Sequence, residues 1–375
     1  MKSPAIGPAI VLAALSPFAL PLNAAAALSC GLPAVAGPEV QLQGYYDVSV
    51  DASAGAYTAG TGAAHPVTVG AGGDRQNVLF GGADDDPDTS SLGIFLYESA
   101  THWDTFPFTA GAQPMGPGLG VCAFDPPDTA AETDSIGLEQ EWALVGTQGH
   151  LLDVRHETVA FGGDADSAGV RLTTTITNNA LSPAAATVGM RWQLDYQIAG
   201  DDSPTYASVD CSPSFTVNAV LPGVEAEVGL SDIGHFFRIE NDEFSPTFSV
   251  FTSSGPVDGF PGTDVPDRLI WGQWPDLNTA TWAHVANGTT ISDSAALFYY
   301  GATSGSAVTL QPGQSVSRSV VFFSSADESS CGDFAPGDDD DSADDDDSAD
   351  DDDSTPDDDD SADDDDSADD DDSAD

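Results

Sequence analysis

From Val170 to Thr177 the chain sets Val170, Leu172, Thr174 and Ile176 against Arg171, Thr173, Thr175 and Thr177. This period of two, rich in β-branched residues, predicts a strand. Asn178 to Ala186 then supplies turn chemistry through Asn-Asn and Ser-Pro. Beyond it Val188, Met190, Trp192, Leu194, Tyr196 and Ile198 share one face, with Thr187, Gly189, Arg191, Gln193 and Asp195 on the other. The two segments are therefore expected to form a hairpin. Similar strands are expected at Tyr45 to Val50, Leu92 to Tyr97, Leu138 to Val145, Leu151 to Phe161, Phe236 to Ile239, Phe244 to Phe251, Ala295 to Tyr300 and Ser315 to Ser324. Gly, Pro, Asp, Asn and Ser clusters separate them, and no window between residues 28 and 335 sustains a 3.6-residue apolar period. The expected fold class is all-β, a large antiparallel β-sandwich of one domain, or two smaller sandwiches packed together.

The two ends of the chain read differently. Lys2, a largely apolar run from Ala9 to Leu22, and the small residues Ala24 to Ala27 follow the order of a secretory signal. The run is short of the roughly 20 apolar residues of a membrane span and carries Pro17 and Pro21. From Asp338 the chain repeats four aspartates separated by Ser-Ala, once by Ser354-Thr355-Pro356. Uniform charge with almost no apolar residues predicts a disordered, extended tail, acting as a spacer or as a weak sponge for divalent cations. The expected organisation is a signal peptide at 1–27, a sandwich at 28–335 and an acidic tail at 336–375.

Charge then narrows the partners. Of 63 acidic residues, 25 lie in the tail and 38 elsewhere, against seven Arg and the single Lys2, for a net charge of −55. Such a chain repels phosphate backbones and anionic headgroups, which excludes nucleic acid and anionic membrane surfaces as partners. Four cysteines in an exported chain predict two disulfides, with Cys30–Cys331 clasping the folded region and Cys122–Cys211 as the preferred second pair. Ala27-Leu28-Ser29-Cys30 puts the leucine one position late for a lipoprotein signal, so a structural Cys30 is favoured over a lipid anchor.

The stretch Arg171 to Pro204 (RLTTTITNNALSPAAATVGMRWQLDYQIAGDDSP) resembles a pattern in uncharacterised secreted bacterial and archaeal surface β-sandwich proteins with Asp-rich tails. It contains a strand ending in Thr-Asn, then Gly-x-Arg, Leu-Asp and Gly-x-Asp before Pro. Pro266 to Trp282, Asp293 to Leu297 and the Leu310 to Gln314 turn resemble the same pattern in the same order. Where that pattern has Leu-Asp-Thr, this chain has Leu194-Asp195-Tyr196. The resemblance implies a surface sandwich and carries no activity with it.

Three constellations could carry chemistry. Asp201 and Asp202, Asp164 and Asp166, and Asp84 to Asp86 with Asp88 form oxygen-rich loops of the kind calcium takes, with Asp195 beside the first, although no EF-hand spacing is present. Trp274 and Trp282, flanked by Asp276 and Asn278, could form a platform for sugar rings. Glu139 and Glu141 share a strand face about 6.5 to 7 Å apart, a glycosidase-like separation. There is no G-x-S-x-G, H-E-x-x-H or Walker sequence. The expectation is thus a noncatalytic cell-surface module with calcium-binding loops, partnered by divalent cations, envelope polysaccharide or another surface protein. The alternative is a carbohydrate-active protein, either a glycan binder or a glycoside hydrolase.

Overall fold

The computed structural model describes residues 39–325 apart from 43–44, 52–55, 62–76, 81–88, 100–101, 108–119, 125, 127–131, 133–134, 164–167, 199–203, 212–214, 222, 242–247 and 258–259. The expected signal, tail, Cys30, Cys331, Asp84 to Asp86, Asp88, Asp164, Asp166, Asp201 and Asp202 lie outside the described residues. The described residues all fall in the first of the chain's two units, bounded at Gly337.

The first unit contains β1 (Glu39–Leu42), β2 (Tyr46–Asp51), β3 (Ala56–Thr61), β4 (Ser90–Ser99), β5 (His102–Pro107), β6 (Gly120–Phe124), β7 (Ile136–Val145), β8 (Leu151–Phe161), β9 (Gly169–Asn178) and β10 (Ala186–Asp195). It continues with β11 (Thr205–Asp210), β12 (Thr216–Val220), β13 (Ala226–Val228), β14 (Phe236–Asn241), β15 (Phe248–Ser253), β16 (Arg268–Gln273), β17 (Ser294–Tyr300), β18 (Val308–Leu310) and β19 (Ser315–Ser325). The α-helix among the described residues, α1 (Trp274–Asn278), is a little over one turn long. That brevity matches the missing 3.6-residue period.

These strands make a β-sandwich of two antiparallel sheets. One runs β1-β2-β3-β4-β10-β17-β16-β13, with β5 on β4 and β18 on β10; the other runs β12-β11-β14-β15-β19-β9-β8-β7-β6. Their inward faces share one core, in which Val188, Met190, Trp192 and Leu194 of β10 join Val170, Leu172 and Ile176 of β9. Tyr46 of the first sheet meets Phe322 of the second edge-on at 6.5 Å between ring centroids.

The expected hairpin is corrected by this topology. β9 pairs with β8 and β19, whereas β10 pairs with β4, β17 and β18, so the chain crosses from one sheet to the other after Asn178. The reason is burial: both strands carry an apolar face, and opposing those faces across the sandwich hides both. Asn178 holds the crossing, its Nδ2 donating to the carbonyls of Ala184 at 3.0 Å and Leu310 at 2.9 Å.

Both outer faces are partly covered. On the second sheet, Phe161, Phe236, Phe251, Val321 and Phe323 pack with Val257 and Phe260. On the first, α1 and the segment after it lay Trp274, Leu277, Ala280 and Trp282 over Ile270, Leu297 and Tyr299.

Candidate functional site

One long edge of β10 is shared by two strands. β17 pairs with Met190 to Asp195 and β18 with Ala186 to Val188, leaving Gly189 at the changeover. The turn leaving β17 fits here only because two glycines meet: a Cβ on Gly189 would lie 2.5 Å from the Gly301 carbonyl oxygen. The gap between the two partners opens into a cavity of about 200 Å³. Val188, Met190, Val265, Val308 and Val316 give it an aliphatic lining, and Tyr300, Asp264, Asp267, Ser306 and Arg318 supply polar groups. Concavity, apolar lining and a few convergent polar groups are the usual marks of a small-molecule site. An apolar cavity of about 150 Å³ admits a benzene ring, so this one has room for a single six-membered ring.

The polar groups differ in how far they are committed. Asp267 is structural: its carboxylate accepts from the N–H of Gly301 at 2.9 Å and of Ala302 at 2.9 Å, fixing the turn. The same turn is held from the other side by Tyr97, whose hydroxyl donates to the Gly301 carbonyl at 3.0 Å. Tyr300, which is edge-on to Trp192 at 5.3 Å, donates its hydroxyl to the Asp264 carbonyl at 3.2 Å. Burial pushes the Tyr300 phenol up, Asp264 and Asp267 push it further, and Arg318 pulls back. Asp264 Oδ1 accepts from the Val265 N–H at 2.9 Å, while its Oδ2 stands 3.7 Å from Arg318 Nη2. Arg318 Nη1 donates to the Ser317 carbonyl at 2.9 Å. The Arg318–Asp264 pair is thus adjacent but not closed by a direct hydrogen bond.

A second titratable cluster lies on the outer face of the first sheet. The fully buried Glu225 carboxylate is 2.8 Å from His284 Nε2 and accepts from the Asn287 N–H at 3.0 Å. Its partner contacts and the Glu225 N–H bond to the Thr289 carbonyl at 2.7 Å pin residues 284–289 to the sheet. Glu225 packs against Gly272, where a Cβ would lie 2.6 Å from its Cγ. With both Glu225 contacts directed at the 284–289 segment, its chemistry is that of a clamp. Glu225→Ala is expected to lower stability by about 1 to 3 kcal/mol, the cost of unsatisfied buried partners. Thermal melting would show this, together with faster protease cleavage near His284; an unchanged melt and digest would refute the clamp.

The residues singled out by sequence scatter. Trp282 stacks on Phe95 at 4.4 Å and donates its indole N–H to the Ala302 carbonyl at 3.0 Å, so one ring face is occupied. Trp274 is half-buried against the patch formed by Ile270, Leu277 and Leu297. Glu139 is buried and bridged to Arg155 at 2.5 Å, which also reaches Glu157 at 2.6 Å; Glu141 lies beside Arg155 on the same face. Asp195 is buried at the end of β10, where its N–H donates to Ser90 Oγ at 3.0 Å. Among the described residues no group of three or more His, Cys, Asp or Glu side chains could hold a metal. Cys211 is a disulfide-bonded residue whose partner lies outside the described side chains, with Cys122 on β6. Neither expected pairing is assigned by this.

Asp264, Asp267, Tyr300 and Arg318 were not singled out as a site by sequence. The one local signal is glycine: Gly189 within a strand pattern and Gly301 directly after one mark a close backbone approach.

No family model and no curated protein matches the chain. Among solved structures, a GalM/aldose epimerase homologue from C. elegans is 10% identical, covering 77% of this chain and 99% of its own, with TM-score 0.40. A galactose mutarotase-like protein from Lactobacillus casei is 10% identical, with 76% and 100% coverage and TM-score 0.41. A galactose mutarotase related enzyme from Lactobacillus acidophilus is 10% identical, with 78% and 99% coverage and TM-score 0.38. The expectation that this chain is not an enzyme stands against neighbours described as epimerase- and mutarotase-related, and it is not carried forward. At these scores the likeness itself assigns no activity.

Proposed function

We propose that the chain is a carbohydrate-active protein that seats one sugar ring in the cavity beside β10. The observation that supports this most directly is the open Arg318–Asp264 pair. At 3.7 Å, Nη2 and Oδ2 present a donor and an acceptor side by side in the cavity wall. Two vicinal hydroxyls satisfy both, one accepting from the guanidinium and one donating to the carboxylate. The C–H face of the ring then lies on Val265, Val308 and Val316. The order of the N-terminus supports export, which would bring the cavity to envelope polysaccharide.

Calorimetric titration with a panel of neutral methyl pyranosides checks this. At least one is expected to bind, with affinity reduced about tenfold by Arg318→Gln, as for loss of a charge-assisted hydrogen bond. Filling the cavity with Val265→Trp is expected to abolish binding. If no pyranoside binds, or neither variant alters the affinity, the cavity is not a sugar site.

A further inference from the structure

Resting on the sugar reading, we infer that the cavity selects a ring bearing a protonated amine over its neutral or carboxylate-bearing counterparts. The lining carries two carboxylates, Asp264 and Asp267, against one guanidinium, Arg318, so the wall is net negative. The guanidinium already spends Nη1 on the Ser317 carbonyl and stands next to Asp264, leaving no surplus cation to receive an anionic ligand. Asp264 Oδ2, by contrast, makes no closed hydrogen bond to its neighbour and can accept from an ammonium. The field inside the cavity has this sign as well: Asp264 and Asp267 both oppose ionisation of the Tyr300 phenol, which burial already disfavours.

The rest of the protein reinforces the selection. Outside the tail 38 acidic residues stand against seven arginines and Lys2, so the chain is strongly net negative there as well as in the tail. A field of this sign concentrates cations at a concave mouth and repels anions, within a range set by salt. An amine in place of a hydroxyl keeps the donor toward Asp264 and adds a charge, whereas a uronate would set a carboxylate against two others.

The test uses the full chain and three ligands of one shape: methyl glucoside, the 2-amino-2-deoxy derivative and the glucuronoside. Titration is done at pH 6, where the amine is protonated, in 50 and 500 mM salt. The amino sugar is expected to bind about tenfold tighter than the neutral one at low salt, with the uronate weakest and the gap narrowing at high salt. Asp264→Asn, a change at a half-exposed side chain, is expected to cut that preference to about twofold. Val265→Trp, also at an exposed position, should remove it. Equal affinity for amine and neutral sugar, or tighter uronate binding, overturns the charge preference and leaves the sugar reading standing. An amine preference that survives Val265→Trp overturns it too, because the cation then sits on the acidic surface or tail. If none of the three binds, the amine and uronate series is built on whichever neutral pyranoside of the panel does bind, and a panel with no binder defeats the sugar reading itself.

Discussion

Lowering the pH from 7 is expected to cost the fold about 2 kcal/mol by pH 5 and about 3 kcal/mol by pH 4 through one side chain, His156. Its imidazole is buried on the inward face of β8, with Nδ1 3.0 Å from Thr174 Oγ1. Burial alone lowers its pKa from 6.5 to about 4. In the unfolded chain the ring takes up its proton near 6.5, while in the folded one it resists until about 4. Between those values the unfolded state binds more protons, so stability is complete above 6.5 and drains away as the pH falls toward 4. The acidic surface acts in the opposite direction, because protonating carboxylates in a chain of net charge −55 relieves repulsion. The contribution of His156 is therefore read as a difference. His156→Gln keeps a hydrogen-bonding group toward Thr174 and has no proton to gain. Denaturant melts of both proteins at pH 7, 6, 5 and 4.5 should show the parent losing ground on the variant at each step. A constant gap between them would mean that His156 is not what makes the fold acid-sensitive.

His156 also shows where reading the sequence stops. Its place on an alternating strand is legible from Leu151 to Phe161, and parity puts it with Leu152 and Val154. That this face is the sealed one, and not a face under a loop, depends on the opposite sheet. The same boundary separates β9 and β10. Their apolar faces follow from residue type alone, yet local alternation carries no information on which sheet a strand joins, so a turn-like Asn-Asn and Ser-Pro stretch resembles a hairpin. The covering layer formed by α1 and Trp282 is short and aperiodic, and its tryptophans read equally as platform or packing until Phe95 is seen against Trp282. The cavity was least legible. Arg318 and Asp264 are 54 positions apart, numbered so in the chain. They meet because the segment before β16 bridges β19, Thr263 pairing with Ser319 and the Ser319 N–H donating to the Gly262 carbonyl at 2.8 Å, while β17 and β18 share the edge of β10 where the cavity opens; both are tertiary pairings and not motifs.

Register at that edge rests on the glycine pair, and replacing Gly301 with alanine is expected to be damaging for two separate reasons. Gly301 has φ of +88°, a left-handed conformation that costs an L-residue about 1 to 2 kcal/mol. Its added methyl would also lie 2.8 Å from Gly189 Cα and 3.0 Å from Ala307 Cα, backbone atoms that cannot rotate away. Forced overpacking adds about 1 to 3 kcal/mol, for a combined loss of about 3 kcal/mol. In a domain of this size that is a fall in Tm of roughly 5 to 10 °C. Displacing the turn also strains the bonds from Gly301 N–H to Asp267 and from Tyr97 to the Gly301 carbonyl, so affinity for any cavity ligand should fall with the stability. Gly313 separates the two causes: its φ is +85°, but a methyl there would meet nothing within 4 Å. Gly313→Ala should therefore cost only the conformational part, about 1 kcal/mol, and leave ligand binding intact. Equal losses in the two variants would show that backbone conformation alone governs both sites, and that the Gly189–Gly301 contact does not set the shape of the cavity.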